Sequence, residues 1–140
     1  MPVPDLLPLL PHVGLLVLGQ DESEALFGET DPGRVFAAAW EAGVGEVLLK
    51  GGADGAWFAG GDGRPRHLAS AARVVRDPVG AGDAFLGGYL AARLSGGSPG
   101  GAAALGTLLA ARIVETPGDT AGLPPREEAR DLLRRAVATP

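Results

Sequence analysis

The segment with the clearest chemical content is residues 77–85, which read Asp-Pro-Val-Gly-Ala-Gly-Asp-Ala-Phe and lead into a hydrophobic helical pattern. Gly80 and Gly82 allow a tight turn whose N–H groups point outward. A helix N-terminus also attracts anions. Asp83 lies at the same end, where a carboxylate can accept a proton from a hydroxyl. The pattern therefore predicts an anion cradle beside a general base, as phosphoryl transfer to an alcohol requires.

The same residues allow a purely structural interpretation, in which Asp83 is an N-cap and the glycines only shape the turn. The residues alone leave both interpretations open. Other nucleotide motifs fit less well, because Phe85 stands where Gly-x-Gly-x-x-Gly needs its third glycine. The P-loop pattern Gly-x-x-x-x-Gly-Lys-Ser/Thr does not occur in the sequence.

A second candidate segment is residues 47–57, Val-Leu-Leu-Lys-Gly-Gly-Ala-Asp-Gly-Ala-Trp. Lys50 is the only lysine of the sequence and follows a buried-strand pattern. The residues alone allow its ammonium group simply to reach solvent along its apolar stem. Gly52 and Gly55 would let the backbone approach a ligand closely.

Residues 77–89 resemble the C-terminal signature of the ribokinase-like (PfkB) carbohydrate kinases, and within that family 2-keto-3-deoxygluconate kinases are most similar. The resemblance extends from about residue 7 to about residue 137. It implies a three-layer α/β/α, Rossmann-like sheet of which only the C-terminal half is present, with the lid and the N-terminal half missing. Residues 1–140 would then form a single kinase-domain fragment.

The resemblance also implies roles for individual residues. Asp83 would be the catalytic base, and the amides of Gly80, Ala81 and Gly82 would form the anion hole for the transferred phosphate. The nucleotide would be bound by the strand-end loop and by Thr107, which stands where many members have an asparagine near adenine. The implied nucleotide-binding residues are Lys50, Gly51, Gly52, Gly55, Ala56 and Thr107.

Two carboxylates are the implied metal-linked residues, Glu22 and Asp77. Counting back from Gly28 places the glutamate of the family's Asn-x-x-Glu motif on Glu22. The asparagine then falls on Gly19, which has no side chain to bond anything. An alternative register uses Asp21 with Glu24, and an acidic first helical turn that complements the helix dipole explains the segment equally well.

The implied cofactors are ATP and Mg²⁺, with a monovalent cation in several members. The implied partners are ATP and a sugar or sugar acid, with 2-keto-3-deoxygluconate as the favoured substrate. Without the sugar-binding half we expect weak or no turnover by the isolated chain. The alternative function is a non-catalytic adenine-nucleotide-binding module, or a half-domain completed by a partner chain.

Strands that alternate with helices predict an α/β fold with a mostly parallel sheet. Strands are expected at 13–18, 46–50 and 73–76, with a hairpin of short strands at 56–59 and 66–69 beside the sheet. Helices are expected at 21–27, 32–42, 82–95, 98–114 and 126–138. Leucines recur every four residues in the helix at 82–95. Its glycine pair, Gly87 and Gly88, predicts close packing against a neighbour.

Composition excludes several classes of protein. The sequence has 140 residues, 46% of them hydrophobic, and a net charge of −5 without a basic run. Nucleic-acid binding is therefore not expected. There are no cysteines, which excludes disulfides and thiolate metal sites. No apolar run is long enough to span a membrane, and no basic signal region precedes one, so a cytoplasmic location is predicted.

The strand at 13–18 should have lost the neighbours that a missing half would supply. An apolar strand with an unpaired edge is a template for pairing with another chain. We therefore expect a homo-oligomer, or pairing with a complementary half. The alternative is that residues 1–11 fold back over this edge, although their four prolines could not extend it as a regular strand.

Overall fold

The chain folds as two structural units in a computed structural model that describes residues 5–59 and 63–140. The sheet unit comprises Met1–Gly52 and Ala56–His67, and the helical unit comprises Ala53–Gly55 and Leu68–Pro140. The tip of the predicted hairpin, at 60–62, lies outside the described residues.

The sheet has four strands in the order β1-β2-β3-β4. They are Leu15–Gly19, Glu46–Lys50, Ala56–Ala59 and Pro65–Leu68. β1 pairs with β2 in parallel, and β2 pairs with β3 antiparallel. The strands predicted at 13–18, 46–50 and 56–69 are thus present, but the hairpin joins the sheet instead of lying beside it. The described sheet is mixed, and β1 forms one edge of it.

Two helices complete the regular structure that surrounds β1 and β2. Helix α1, Gln20–Phe27, ends at Gly28, whose φ of 71° is left-handed. Helix α2, Pro32–Glu41, begins at Asp31, whose side chain accepts a hydrogen bond from the Arg34 N–H at 3.1 Å. Short 3₁₀ helices span Leu7–His12 and Gly52–Asp54. These starts and stops agree with the sequence prediction because acidic first turns, proline and glycine each favour one helix end.

The core of the sheet unit lies between α2 and the sheet. Its members are all aliphatic or aromatic: Leu10, Leu18, Val35, Phe36, Ala39, Val44, Val47 and Leu49. The three central side chains of β2 are fully buried, as the continuous apolar run at 47–49 predicts for a strand covered on both faces. This burial fixes β2 and, through it, the position of the residues that follow at its carboxyl end.

The helical unit contains three helices. They are α3 (Ala81–Leu94), α4 (Pro99–Val114) and α5 (Arg126–Ala138). All three agree with the sequence prediction to within one residue. A Cβ added to Gly106 of α4 would lie 2.7 Å from the backbone oxygen of Phe85 in α3, and one added to Gly88 would lie 3.2 Å from the Gly106 Cα. The α3–α4 contact therefore requires small residues at these positions.

The buried face of α3 is formed by its aromatic and small residues and not by the leucines that recur every four residues. Phe85, Gly88, Tyr89 and Ala92 are buried, whereas Leu94 is 87% exposed. The aromatic rings bury more apolar surface than the leucines would, so they define the packed face. Close packing was predicted for both glycines, but no atom lies within 4 Å of a Cβ added to Gly87, and the prediction is wrong for that residue.

The strand predicted at 73–76 is not formed. The N–H groups of Arg76 and Asp77 both donate to the carbonyl of Val114, at 2.6 and 3.1 Å, so the segment is held by the end of α4. Val74 and Val75 are 50% and 62% exposed. Two adjacent valines supply β propensity, but a strand also needs a partner strand, and none pairs with this segment among the described residues.

Among residues 5–59 and 63–140, no helix combines the length and the apolar character that crossing a membrane demands.

Candidate active site

The turn before α3 is built around Gly80. This residue is the N-cap of α3 and has a φ of 83°. A Cβ added there would lie 3.1 Å from both the Cβ and the backbone oxygen of Asp119. Both the left-handed backbone and the close approach require glycine. The backbone conformation of the turn is therefore fixed, and it determines the direction of the first turn of α3.

The amides at the start of α3 are available for a ligand. The Ala84 N–H donates to Gly80 O at 2.9 Å, which closes the first helical turn, and Ala81 donates to Pro78 O through a longer bond of 3.3 Å. In the described part of the chain, no acceptor contacts the N–H groups of Gly80, Gly82 or Asp83. Unpaired amides at a helix N-terminus attract anions.

Asp83 is the third residue of α3 and its side chain is exposed. The cap position belongs to Gly80, and no side chain makes a capping bond there, so the N-cap interpretation of Asp83 is wrong. Across residues 5–59 and 63–140, the Asp83 carboxylate has no hydrogen-bond donor. A carboxylate that is exposed and unengaged beside free amides can accept a proton from a ligand hydroxyl.

Asp77 organises the turn from its other end. Its Oδ1 accepts a hydrogen bond from the Val79 N–H at 3.0 Å, and its Oδ2 accepts one from the Gly118 N–H at 3.2 Å. Gly118 has a φ of 89°. Asp77 thus ties the turn to the loop after α4, a long-range contact for which the sequence carries no local signal.

Thr107 lies in α4 and is 7% exposed. Its hydroxyl oxygen has no hydrogen-bond partner among the residues that the structure describes. Buried hydroxyls are normally hydrogen-bonded, and a helical threonine usually bonds the carbonyl of the preceding turn. The free hydroxyl of Thr107 therefore keeps both a donor and an acceptor for a ligand.

In the sheet unit, Lys50 is half-buried and ends β2, opposite Gly19 in the register with β1. The Glu22 Oε2 accepts a hydrogen bond from the Gly19 N–H at 2.6 Å, which fixes Glu22 at the start of α1. The carboxyl ends of β1 and β2 therefore place Lys50 and the first turn of α1 at one edge of the sheet. Ligands bind at such edges in open α/β sheets.

The glycines after β2 have different roles. Gly52 has a φ of 57° and open space around an added Cβ. Gly55 has a φ of 90°, and a Cβ there would lie 2.1 Å from the backbone oxygen of Leu68. Gly55 is therefore required by the chain's own packing. Gly51 is half-buried, and the Ala56 side chain is fully buried, which leaves only the Ala56 backbone for a ligand.

The candidate metal-linked carboxylates do not form a cage of protein ligands. No group of three or more metal-binding side chains occurs within the described ranges. Glu22 and Asp77 each accept backbone hydrogen bonds, and Asp21 and Glu24 are exposed. Either carboxylate by itself suits a Mg²⁺ ion that keeps its waters and arrives with phosphate oxygens, because Mg²⁺ needs only one or two carboxylates in such sites.

An ion pair that sequence reasoning missed joins α4 to α5. The Arg112 guanidinium donates a hydrogen bond to the Glu128 carboxylate. This hydrogen bond lowers the pKa of Glu128 and raises the pKa of Arg112. The two residues are 16 positions apart, so no local spacing rule could have paired them.

The fold is that of an α/β protein whose helix α3 begins with unpaired amides beside an exposed carboxylate. The sequence model of the family described as "pfkB family carbohydrate kinase" matches residues 2–126. The chain belongs to this family, as the sequence resemblance predicted.

Several curated relatives are 2-dehydro-3-deoxygluconokinases. That of Thermoproteus tenax is 37% identical over 123 residues, which are 87% of this chain and 37% of the relative. That of Escherichia coli strain K12 is 36% identical over 114 residues, 79% of this chain and 37% of the relative. The chain thus spans little more than a third of the length of these relatives.

Among solved structures, Arabidopsis thaliana ribokinase complexed with ribose and ATP superimposes with a TM-score of 0.78 and 26% identity. The match covers 90% of this chain and 42% of that one. The predicted ribokinase-like α/β fold is confirmed, as a partial domain.

Proposed function

We propose that this chain carries the nucleotide and general-base half of a sugar-kinase active site. The reaction transfers the γ-phosphate of ATP to a hydroxyl of a sugar acid, with 2-keto-3-deoxygluconate (2-dehydro-3-deoxygluconate) as the favoured substrate. The observation that carries this proposal is the exposed Asp83 carboxylate beside the unpaired amides at the start of α3. The names of the curated relatives support the choice of substrate.

The chemistry assigned to the turn is general-base catalysis with electrostatic stabilisation. Asp83 accepts the proton of the sugar hydroxyl as its oxygen forms a bond to the γ-phosphorus, while the bond from that phosphorus to ADP breaks. The amides of Gly80, Ala81 and Gly82 donate to the transferred phosphoryl oxygens. The Ala81 amide takes part by giving up its long bond to Pro78 O, which measures 3.3 Å.

Nucleotide contacts are proposed in each unit separately. In the sheet unit, Lys50 would contact a phosphate or the ribose, and the backbones of Gly51, Gly52 and Ala56 would border the nucleotide. In the helical unit, Gly55 and Thr107 are assigned, Thr107 because its buried hydroxyl is unpaired. Lys50→Ala and Thr107→Val should each weaken ATP binding, which calorimetry with ATP and MgCl₂ measures.

When bound, Mg²⁺ would neutralise the negative charge on the nucleotide phosphates. Glu22 and Asp77 are the proposed carboxylates, and each would act through water, since one oxygen of Glu22 and both oxygens of Asp77 already accept backbone hydrogen bonds. We assign a monovalent cation, if one is used, to the neighbourhood of Asp77.

The alternative function is a nucleotide-binding module without catalysis, which the buried and unpaired hydroxyl of Thr107 also supports. A base and an anion hole accelerate transfer only when the acceptor hydroxyl is held against them. Coupled measurement of ADP release with 2-keto-3-deoxygluconate, beside calorimetry with ATP, separates the two. Sugar-dependent release that Asp83→Asn abolishes supports the kinase. ATP binding without sugar-dependent release supports the module, and no ATP binding contradicts both.

A further inference from the structure

A groove on the surface of the helical unit is separate from the turn at Asp83. It has a volume of about 270 Å³ and lies between α3, α4 and α5. Its apolar lining includes Gly87, Ala91, Leu105, Leu109 and Leu133. The volume is close to the lower end of the roughly 300–1,000 Å³ that small-molecule sites occupy. The groove therefore suits a small apolar group better than a folded partner, whose interface would need roughly 800 Å² on each side.

Two arginines of α5 also line this groove, Arg126 and Arg130. They are four residues apart, so they lie on the same side of the helix. Both are exposed, and within residues 5–59 and 63–140 neither forms an ion pair or side-chain hydrogen bond. Arg112 and Arg134, by contrast, are paired with Glu128 and Asp131.

The nearest carboxylates in the sequence do not neutralise these two arginines. Glu128 is engaged by Arg112. Glu127 is exposed and makes no ion pair with either arginine. A groove with an apolar floor and two uncommitted guanidinium groups at its border is complementary to a molecule with an apolar body and an anionic head. Guanidinium groups bind carboxylates and related oxyanions through paired N–H donors.

We propose that this groove binds a small amphipathic anion, with an alkyl chain against the apolar floor and a carboxylate head between Arg126 and Arg130. The site is independent of the proposed kinase chemistry, since it uses none of the residues assigned to that reaction. A second copy of the chain is the competing occupant, and the experiment below distinguishes it.

Titration with sodium decanoate tests the proposal, with the amide NMR shifts of Gly87, Gly88 and Ala91 as the readout. Sodium hexanoate should bind more weakly, by up to about fourfold for each methylene group that decanoate buries in addition. Decanol and decyltrimethylammonium match the chain length and remove or reverse the head charge. Both should bind at least about tenfold more weakly than decanoate, the effect of one or two charge-assisted hydrogen bonds.

Three variants make the test specific. The double variant Arg126→Gln/Arg130→Gln should weaken decanoate binding about tenfold, whereas Arg135→Gln, a matched control on the same helix, should leave it unchanged. Gly87→Leu should abolish binding and keep the fold, because a Cβ there meets no atom within 4 Å and the side chain can fill the groove.

Three results would overturn the proposal. The first is decanoate binding that is equal in wild type and in the double arginine variant, which would show apolar adsorption without recognition of the head. The second is no saturable shift up to millimolar decanoate. The third is a change of sedimentation coefficient in Gly87→Leu while decanoate gives no shift, which would assign the groove to a second copy.

Discussion

The Asp77 carboxylate accepts a hydrogen bond from the Gly118 amide at 3.2 Å, across 41 positions of the chain. The same carboxylate holds the Val79 amide at 3.0 Å. Asp77 therefore connects the turn that begins α3 with the loop that ends α4. The shape of the turn before α3 depends on a contact made outside the turn itself.

Asp77→Ala should destabilise the helical unit by about 1–3 kcal/mol, because two amides lose a charged acceptor. Urea unfolding followed by circular dichroism measures this change. The matched control is Asp119→Ala, which removes a neighbouring exposed carboxylate while keeping the Cβ that lies against Gly80. Equal unfolding midpoints for the two variants would show that the Asp77 bonds do not stabilise the turn.

Asp83→Asn should leave stability within about 0.5 kcal/mol of wild type, since the carboxylate is exposed and makes no capping bond. ATP binding should be retained or become tighter, because a negative charge beside the phosphates is removed. Any sugar-dependent ADP release should fall by about 100- to 10,000-fold. Glu127→Gln, which neutralises another exposed carboxylate of the helical unit, is the control. Full activity in Asp83→Asn would contradict the assignment of the base.

Gly106→Ala should destabilise the protein by about 1–3 kcal/mol, because the new methyl group would lie 2.7 Å from the Phe85 oxygen. Gly87→Ala is the matched control on the other helix. Open space surrounds its added Cβ, so it should stabilise α3 by up to about 1 kcal/mol. Thermal melting shows whether each variant is more or less stable than the wild type. Stabilisation by Gly106→Ala would mean that α3 and α4 do not pack at this glycine.

The Arg112–Glu128 pair should make stability depend on pH in the acid range. The hydrogen bond from Arg112 lowers the pKa of Glu128 in the folded protein, and the unfolded value is about 4.3. The contribution is therefore complete above the unfolded pKa and is lost as pH falls through the folded pKa. The wild type should melt at a higher temperature than Glu128→Gln above about pH 5, and the two melting temperatures should converge at lower pH. A constant difference from pH 7 to pH 3 would rule out this linkage.

Self-association through the edge of β1 remains a prediction. β1 ends the strand order, and its outer edge pairs with no strand in the described part of the sheet. An unpaired apolar edge favours pairing with another chain. Sedimentation velocity at micromolar concentrations should show a dimer, and Val17→Lys should shift it toward monomer. Wild type that sediments as a monomer would count against this prediction.

Much of the fold could be predicted from the sequence, because helix ends and buried strands carry local signals. Asp31 with Pro32 marks the start of α2, and Gly28 marks the end of α1. The strand predicted at 73–76 failed because a strand depends on a neighbour that local sequence does not specify. The buried face of α3 could not be predicted, because leucine spacing does not specify which face meets α4.

In the candidate site, too, local features could be predicted from the sequence and contacts between distant residues could not. Asp83 and the glycines of its turn are contiguous, so their position at the start of a helix could be predicted from the sequence, while their catalytic roles remain a prediction. The bond from Gly118 to Asp77 and the ion pair of Arg112 with Glu128 join distant residues. The unpaired hydroxyl of Thr107 could not be foreseen either, since burial and hydrogen bonding depend on the packed structure.

The segment at 73–76 has a consequence for local opening. Its backbone is held by α4, through the Val114 carbonyl and the Glu115 carboxylate, and its two valines are at least half exposed. Segments with few buried contacts exchange their amide hydrogens through low-energy local unfolding. The amides of Arg73, Arg76 and Asp77 should therefore lose protection together when the last turn of α4 frays. This segment is where we expect a protease to cleave the native chain first.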